Sequence, residues 1–337
     1  MKSSVSVIIP VHNRFELTKR SVESVLAQTV PVSEVILVDD GSNDGTSELL
    51  PRHIAENPAW RERVLYLHQE SQGVSAARNL GIARAKNEWL AFNDNDDLWL
   101  PQKLEWQFQA LEKYGDLCDL CFTDAWFMNN AGMKATVFED SGVKYGELIG
   151  IATGLEELVR RLQQVWIQTV LARAELVRDT GGFDTTLCYN EDQDLLFRMA
   201  LRTKFCFVSP PMVLIDRTPP AQRHLGRVTE WHKEEVRLQM LQSLLEKNLT
   251  SSGCLPSGVA SVLSVRLRTI HSQWANWHLR NGNYEKARQS ISRAAQYDLT
   301  PGVALKWVLA QIAPGLANSM ITWRDGSIRR RQAGSYF

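Results

Sequence analysis

Short runs of β-branched and other apolar residues alternate with longer helical patterns through the first two thirds of the chain. Helical spacing of the apolar residues is clearest at residues 74–85 and 103–114. This alternation predicts βα units around a mostly parallel sheet flanked by helices, which is an α/β fold. The strands are expected at residues 5–10, 35–38, 64–67, 89–92 and 120–122.

The pattern changes at about residue 225, where helical patterns without strand-like runs begin. We expect two domains, an α/β domain at residues 1–224 and a helical C-terminal domain at residues 225–337. The length of 337 residues is sufficient for both. The helices of the second domain are expected at residues 230–248, 259–279, 284–297 and 303–320, with a break at residues 251–258.

Charge and cysteine content exclude several classes of protein. Lys and Arg together number 38 and so do Asp and Glu, so the chain lacks the basic field that gathers nucleic acid. Five scattered cysteines, an odd number, do not form a disulfide framework and favour a reducing compartment. No apolar run approaches the roughly 20 residues that a spanning helix needs. We therefore expect a cytoplasmic protein, or one bound peripherally to the inner face of a membrane.

Polar clusters follow three of the predicted strands, where ligands gather in open α/β sheets. They are His12-Asn13-Arg14, Asp39-Asp40-Gly41-Ser42 and the stretch "NDNDD" at residues 93–97. Such closely spaced carboxylates repel one another unless solvent, a nearby Arg or Lys, a helix N-terminus or a divalent cation offsets the charge. The alternative is an exposed acidic turn that caps the next helix.

A second acidic segment, "YNEDQDLLFRMA", opens a helix with Glu191 and Asp192 after a Gly-Gly turn. If the two acidic segments converge on one cleft, one can hold a metal ion while the other acts as a general base. Glu191 then has two interpretations: it orients the base, or it is a favourable charge at the helix N-terminus.

Three segments together resemble glycosyltransferase family 2, the inverting nucleotide-sugar enzymes. They are "VSVIIPVHNRFELTKRSVESVLAQTVPVSEVILVDDGSNDGT", "GVSAARNLGIARAKNEWLAFNDNDDLWLPQKLE" and "GGFDTTLCYNEDQDLLFRMA", in matching order over about residues 4–220. The resemblance implies a GT-A type, Rossmann-like, mostly parallel sheet flanked by helices, followed here by an α-helical C-terminal module.

The same resemblance implies roles for individual residues. Asp94 and Asp96 match the Asp-x-Asp pair, in which the last carboxylate binds Mg²⁺ or Mn²⁺ on the donor diphosphate. Asp192 matches the general base, with Glu191 beside it. His12 stands where many members carry a stacking aromatic residue. The positions matching the nucleotide site are Pro10, His12, Asn13, Asp39, Asp40, Arg78, Asp94 and Asn95.

The chemistry agrees with these roles. A hard divalent cation prefers oxygen ligands and is commonly held by one or two carboxylates together with substrate phosphates. Such a cation stabilises the charge that grows on a departing diphosphate. A carboxylate within about 2.6–3.2 Å of the acceptor hydroxyl can take its proton.

Two further groups of candidates remain open between function and structure. Gln168 and Thr169 lie where the resembling enzymes meet the acceptor, but their segment also has the pattern of an ordinary buried one. Arg217, Arg223 and His224 follow the predicted last strand of the first domain. They either close over the diphosphate as a mobile loop or belong to a solvated interdomain linker.

Other conspicuous residues have structural interpretations. Cys118 and Cys121 have the spacing of half a zinc site but no second ligand pair, and are predicted to pack in the core. The set His271, Trp274, Trp277 and His278 has helical spacing and is predicted to make interhelix contacts. The predicted helix at 303–320 and the basic tail after it either lie on an anionic membrane surface or pack on their own domain.

We expect an enzyme of polysaccharide biosynthesis that moves one sugar from a nucleotide-diphosphate donor, expected to be a UDP-sugar, to a hydroxyl of a glycan or lipid-linked saccharide. A dehydrogenase is disfavoured because "PVHNRFE" follows the first strand in place of G-x-G-x-x-G. The sequence has no Walker motif either, which counts against an ATPase. The non-enzyme alternative is a nucleotide-binding scaffold that recruits partners through its helical domain.

Overall fold

The computed structural model describes residues 4–129, 132–152, 154–187, 189–217, 234–251 and 255–298, with positions 253, 302, 304, 305 and 308. The chain divides into two compact units, Met1–His224 and Leu225–Phe337. In the described residues, the first unit combines strands with helices and the second contains helices alone.

One sheet forms the centre of the first unit. Its strands are β1 Val5–Val11, β2 Glu34–Asp40, β3 Val64–Gln69, β4 Trp89–Phe92, β5 Leu98–Trp99, β6 Cys118–Asn129, β7 Gly132–Thr136, β8 Ile149–Ile151, β9 Val170–Arg173 and β10 Lys204–Asp216. The strand order is β3-β2-β1-β4-β9-β6-β10-β5, with β7 paired to β6 and β8 paired to β10.

The two halves of the sheet differ in strand direction. The half made by β3, β2, β1 and β4 is parallel, as the alternating sequence pattern predicts. In the other half, β9 is antiparallel to both β4 and β6, although β10 returns parallel to β6. A short helix at residues 155–160 and two 3₁₀ turns precede β9, in place of a long crossover helix, so the sequence carries no signal for the direction of β9.

Nine α-helices surround this sheet in the described residues. They are α1 Phe15–Leu26, α2 Thr46–Glu56, α3 Pro58–Arg63, α4 Val74–Arg84, α5 Lys103–Tyr114, α6 Val137–Asp140, α7 Leu155–Arg160, α8 Ala174–Asp179 and α9 Glu191–Ala200. Helix α4 packs closely on β1 because Gly81 has no side chain: a Cβ there would lie 2.5 Å from Ile8 Cγ2. This close approach fixes the position of Arg78, one turn earlier on the same helix.

Strands β1, β2 and β4 are buried on both faces, so their sequences are almost continuously apolar and their polar residues collect at the ends. The carboxyl ends of β1, β2 and β4 therefore bring the polar clusters that begin at His12, Asp39 and Asn93 to one edge of the sheet.

The second unit contains α10 Glu234–Ser251, α11 Ser257–Arg280 and α12 Tyr284–Tyr297. Helices α11 and α12 form a hairpin that closes through Gly282 at φ 73° and buries Ala275, Ile291 and Ala294. His271 is buried and stacks on Tyr297 at 5.7 Å, as an interhelix contact should. The predicted helix at 303–320 falls almost entirely outside the described residues.

The structure supports two of the expectations drawn from apolar patterns. Cys118 and Cys121 are buried with free thiols, which confirms their assignment to the core. None of the helices in the described residues is long and apolar enough to cross a membrane.

A buried lysine at the start of α5 should make stability depend on pH. Lys103 is fully buried, its Nζ lies 3.9 Å from the ring centroid of Trp99 and donates to Gln107 Oε1 at 2.9 Å. Burial lowers its pKa from 10.5 to about 7. Between those two pH values the unfolded chain binds a proton that the folded chain does not, so the free energy of unfolding should rise with pH.

Lys103→Met should flatten this rise, because it removes the group that titrates differently in the two states. Each unit of pKa corresponds to about 1.4 kcal/mol, so urea unfolding at pH 7, 8.5 and 10 can measure the change in slope. Lys113→Met, which removes the same charge from an exposed position near the end of the same helix, should keep the slope of the parent chain. Equal slopes in all three proteins would contradict the role of Lys103.

Candidate functional site

The acidic segment after β4 is a tight turn fixed by the side chain of Asn93. Asn93 is buried; its backbone N–H donates to Ile8 O at 3.1 Å, and its Nδ2 donates to Ser21 Oγ at 2.9 Å and to Asp97 O at 3.0 Å. These bonds close the turn over the N-terminal part of α1. The three aspartates therefore leave the sheet edge in defined and different directions.

Arg78 joins this turn to the second acidic segment. Its Nη2 donates to Asp94 Oδ1 at 2.8 Å and its Nη1 donates to Glu191 Oε1 at 2.9 Å. The guanidinium lies 5.1 Å from the ring centroid of Phe183, and the residue is only 4 % exposed. Burial alone would lower the pKa of Arg78, but Asp94 and Glu191 raise it above its ordinary value. The two acidic segments, about a hundred residues apart in sequence, thus meet in one site.

Gln168 binds the acidic turn from the other side. Its Nε2 donates to Asp94 Oδ2 at 2.7 Å and to Asp97 Oδ2 at 2.8 Å, while its own Oε1 is buried without a hydrogen-bond partner. Both carboxylate oxygens of Asp94 are therefore engaged by protein donors. Thr169, predicted beside Gln168 as an acceptor residue, is fully buried and donates its hydroxyl proton to Trp166 O, so the structure does not bring it to the site surface.

Asp96 points to the opposite side of the turn, where it pairs with Arg14. Arg14 Nη1 lies 3.2 Å from Asp96 Oδ2, and both side chains are mostly buried. Asn13 and Arg14 both have positive φ, at 63° and 70°, which costs free energy in residues other than glycine. The Asp44 carboxylate holds this conformation by accepting from Arg14 N at 2.8 Å.

Asp97 is the most buried carboxyl of the turn. Its Oδ1 accepts from Asp216 N at 3.0 Å, which ties the turn to the end of β10. Burial, together with the charges of Asp96 and Asp94, raises the pKa of Asp97 well above its ordinary value. We infer that Asp97 joins elements of the site and does not act as a free carboxylate.

Asp39 and Asp40 fix the loops that follow β2. Asp39 is fully buried and accepts from Ser42 N at 2.8 Å and from Tyr66 OH at 2.7 Å. Asp40 accepts from the backbone N–H groups of Gln72 and Gly73 at 2.7 and 2.8 Å. Both aspartates were expected to contact a nucleotide. In the structure their oxygens hold loop backbone.

The remaining residues predicted for the nucleotide line the same edge. His12 is exposed, and its Nδ1 lies 2.9 Å from Asp40 O, which fixes the ring beside the end of β2. Asn13 Oδ1 accepts from Asn43 N at 2.8 Å, and Asn95 is buried against Asn13 O and Thr18 Oγ1. Pro10 is partly exposed at the end of β1. His12 and Pro10 are therefore the members of this set that are open to a ligand.

Helix α9 places Asp192 beside Arg78. Asn190, at φ 57°, starts the helix, and Asp192 Oδ1 accepts from Gln193 N at 2.8 Å. Removal from bulk water and the charge of Glu191 raise the pKa of Asp192 to about 7, against the lowering effect of Arg78. A carboxylate with this pKa exchanges a proton near neutral pH, as a general base must.

The Gly-Gly turn before α9 holds the helix in place. Gly182, at φ 66°, lies so close to α4 that a Cβ would be 2.6 Å from Asn79 Oδ1. Asn79 exchanges hydrogen bonds with the backbone of Phe183, at 2.8 Å in both directions. Arg198, on α9, donates to Gly182 O at 2.7 Å and pairs with Asp194. The "GGFD" and "NED" patterns therefore serve one purpose, which is to orient the first turn of α9.

Arg217 lies at the end of β10, where its guanidinium covers two aromatic rings. Its Cζ lies 4.1 Å from the ring centroid of Phe127 and 4.8 Å from that of Trp166. Arg223 and His224, predicted with it, lie outside the described residues. Sequence reasoning assigned no role to Phe127, Trp166, Arg14 or Asp97. Arg14 and Asp97 carried a signal, as members of the "HNR" and "NDNDD" clusters.

The donor set fits a magnesium or manganese ion held mainly by substrate. No group of three or more His, Cys, Asp or Glu side chains in the described residues could hold a metal by itself. Asp96 pairs with Arg14, which is more exposed than Arg78, the partner of Asp94. One carboxylate with diphosphate oxygens is an ordinary coordination for these ions.

Comparison with known proteins gives a consistent result. A family profile described as glycosyl transferase family 2 matches residues 6–160. An uncharacterized glycosyltransferase of Rickettsia typhi is 28% identical over 221 residues, 65% of this chain and 65% of that protein. The putative teichuronic acid biosynthesis glycosyltransferase TuaG of Bacillus subtilis is 38% identical over 137 residues, 41% of this chain and 52% of that protein. Three Rickettsia relatives at 40% to 42% identity match over 111 residues, and the chain spans only 15% to 18% of their length.

Solved structures share the fold. The Staphylococcus aureus TarS fragment 1-349 in complex with UDP-GlcNAc has a TM-score of 0.67 at 16% identity, covering 96% of this chain and 92% of that one. The mannosyltransferase PcManGT of Pyrobaculum calidifontis in complex with GDP-Man and Mn²⁺ has a TM-score of 0.53 at 18% identity, covering 95% and 84%. At these identities the likeness is one of fold, and it confirms the predicted GT-A type architecture.

Asp97→Asn should stabilise the protein at neutral pH, because an amide avoids burying a charge beside Asp94 and Asp96. The oxygen of the new amide can keep the bond from Asp216 N, although the bond from Gln168 Nε2 is lost. Since the folded-state pKa of Asp97 is raised, the wild-type chain loses stability as pH rises above the ordinary carboxyl pKa. We expect a melting temperature about 2–4 °C higher at pH 7.5, the equivalent of about 1 kcal/mol, and a smaller difference near pH 4.

Asp116→Asn is the matched control, because it removes the same charge from an exposed position. A melting temperature that falls in Asp97→Asn at pH 7.5 and stays unchanged in Asp116→Asn would show that Asp97 is needed as a carboxylate.

Proposed function

We propose, on the premise that residues 6–160 match the profile of glycosyl transferase family 2, that the protein transfers one sugar from a UDP-sugar to a hydroxyl of a glycan or lipid-linked saccharide. Transfer proceeds with inversion at the anomeric carbon, with Asp192 as general base and a divalent cation at Asp96. The relatives are named as glycosyltransferases, which supports the reaction class.

The observation that carries this proposal is the bridge from Arg78 to Asp94 and Glu191. This bridge brings Asp94, expected to meet the donor, into one site with Glu191, which stands next to the proposed base Asp192. A direct displacement needs the leaving diphosphate and the base on opposite sides of a single sugar carbon. Had α9 opened at another edge of the sheet, Asp192 and Asp96 could not serve one reaction.

The donor is proposed to lie along the carboxyl ends of β1, β2 and β4. His12 offers an exposed ring at this edge for the base, and Pro10 a partly exposed surface. Asp39 and Asp40 shape the pocket through the loops that they hold. The choice of uridine is supported by TarS, which was solved in complex with UDP and with UDP-GlcNAc.

Asp96 would hold a magnesium or manganese ion in exchange for its pairing with Arg14. A bound cation supplies charge neutralisation to the diphosphate as it leaves. Arg78 and Gln168 keep Asp94 oriented beside that position, so its two oxygens remain hydrogen-bonded before and after the donor enters. Manganese is present in the PcManGT complex, which supports the type of ion.

Asp192 would take the proton of the attacking hydroxyl. Its raised pKa of about 7 makes it a stronger base than an ordinary carboxylate while leaving it substantially ionised at neutral pH. Glu191 contributes to that pKa and, through Arg78, fixes the first turn of α9. A single displacement with one base inverts the anomeric configuration.

Asp192→Asn should lower sugar transfer at least ~100-fold, because the amide cannot accept the proton. The affinity for UDP should stay within about twofold, since Asp192 does not hold the nucleotide. Release of UDP from a panel of UDP-sugars with a mixture of saccharide acceptors measures transfer, and calorimetry measures binding. Asp179→Asn, a surface change in α8, is the control. Turnover like that of the parent chain in Asp192→Asn would remove the mechanism.

The pH profile of transfer should rise through about pH 7 as Asp192 ionises. Glu191→Gln should move this midpoint to lower pH, because it removes a negative charge beside Asp192 and leaves Arg78 to stabilise the ionised form. Rates measured under kcat conditions from pH 5.5 to 9 test this. A midpoint that stays in place or moves upward would exclude the coupling between Glu191 and the base.

Asp96→Asn should abolish the strengthening of UDP binding by Mn²⁺. We expect the affinity for UDP with Mn²⁺ to fall at least ~10-fold, about 1.4 kcal/mol, while the affinity without metal changes little. Calorimetry with and without Mn²⁺ gives both numbers. Asp119→Asn removes a carboxylate that pairs with Arg173 at the surface and should leave both affinities unchanged. Equal metal dependence in Asp96→Asn and the parent chain would place the cation elsewhere.

A further inference from the structure

The cluster of Arg217, Phe127 and Trp166 is built for binding, yet the proposed chemistry does not use it. The two rings pack edge to face with centroids 5.6 Å apart, and the guanidinium covers both. The backbone of Arg217 is held as well, by donation from its N–H to Met128 O at 2.7 Å. Both aromatic rings are partly exposed.

Contact with the two rings restrains the guanidinium without using its hydrogen-bond donors. An arginine carries five N–H donors in the plane of the group. In the described part of the chain, no acceptor receives a hydrogen bond from the Arg217 side chain. A planar donor edge with a fixed orientation is the arrangement that recognises a carboxylate or phosphate in bidentate fashion.

Backbone connections place this cluster on the acceptor side of the proposed site. Gln193, next to the proposed base, donates from Nε2 to Val165 O at 3.1 Å, and Trp166 follows directly. Gln168, two residues further on, donates to Asp94 and Asp97. On the other flank, Asp216 N donates to Asp97, and Arg217 follows Asp216. The cluster is thus bonded to the base helix on one flank and to the acidic turn on the other.

The sheet order separates the cluster from the proposed nucleotide pocket. That pocket lies at the ends of β1, β2 and β4, whereas Phe127 and Arg217 lie at the ends of β6 and β10, with β9 in between. Strands are spaced about 4.8 Å apart, so β10 lies roughly 14 Å from β4 and still further from β2. An anion at Arg217 would therefore lie away from the base and ribose of the nucleotide.

We propose that Arg217, held by Phe127 and Trp166, binds an oxyanion of the acceptor, a phosphate or a carboxylate close to the hydroxyl that is attacked. This inference rests on the proposed function and narrows its acceptor to anionic saccharides or saccharide phosphates. Burial lowers the pKa of Arg217, while the carboxylates of Asp140 and Asp97 act in the opposite direction.

The test uses the full chain saturated with UDP and Mg²⁺, so that the donor site is filled. Glycerol 3-phosphate, D-glucuronate and neutral D-glucose are titrated as probes, with saturation-transfer NMR as the readout of weak binding. We expect one or both anions to bind and glucose not to bind. Arg217→Gln should weaken the anion at least tenfold without changing the affinity for UDP or the melting temperature.

Arg173→Gln is the matched control. Arg173 also lies over an aromatic ring, 4.7 Å from the centroid of Trp89, but at the opposite end of β9. The Arg173→Gln variant should bind the anions as the parent chain does. Preference for glycerol 3-phosphate assigns a phosphate acceptor and preference for D-glucuronate a uronic one.

Absence of anion binding, or equal binding in Arg217→Gln, would overturn the inference. A fall in UDP affinity in Arg217→Gln would overturn it too, by moving the side chain to the donor diphosphate. Failure of UDP to bind the parent chain is a different result, because it removes the proposed function itself.

Discussion

The site depends on the ion pairs of one buried arginine. Arg78 places a single positive charge between Asp94 and Glu191 in a region where a lone charge would be costly. Its removal would leave two carboxylates facing each other and Asp192 beside them. The close packing of Gly81 on Ile8 and the bonds of Asn79 to the Gly-Gly turn hold α4 against the sheet and the α9 turn. Gly81, Asn79 and the Gly-Gly turn therefore help to position one guanidinium.

Each carboxylate of the acidic turn has a different partner, and that difference separates their chemistry. Asp94 is held by Arg78 and Gln168, Asp97 is buried with a raised pKa, and Asp96 is paired with Arg14 near the surface. Asp94 is thus an oriented carboxylate, Asp97 is a structural link, and Asp96 is a candidate cation ligand. An isolated acidic turn that only caps a helix would need none of these partners.

The sequence predicted the parts of this arrangement that rest on local patterns. The strands of the parallel half, helices α4 and α5, and the meeting of polar clusters at one sheet edge follow from periodicity and from the geometry of βα units. The direction of β9 and the stacking of Arg217 on Phe127 and Trp166 do not, because they depend on residues brought together across the sheet. The nucleotide contacts of Asp39, Asp40 and Arg78 were implied by the family resemblance and stay a prediction. The bonds of these three residues to protein groups could not be predicted, because their partners are distant in sequence.

Hydrogen bonds connect α9, the 3₁₀ turn at Trp166 and the acidic turn. Together these elements form the proposed acceptor side of the site. Gln193 bonds to Val165, and Gln168 bonds to Asp94 and Asp97, so a displacement of the turn at Trp166 would move the base helix and the acidic turn together. An acceptor bound to Arg217 would lie beside this same turn, because Arg217 contacts the ring of Trp166. Binding of such an acceptor would then change the position of Asp192 relative to the proposed donor site. A neutral saccharide that reached Asp192 without engaging Arg217 would lack that adjustment, so selectivity would act on the rate of transfer as well as on binding.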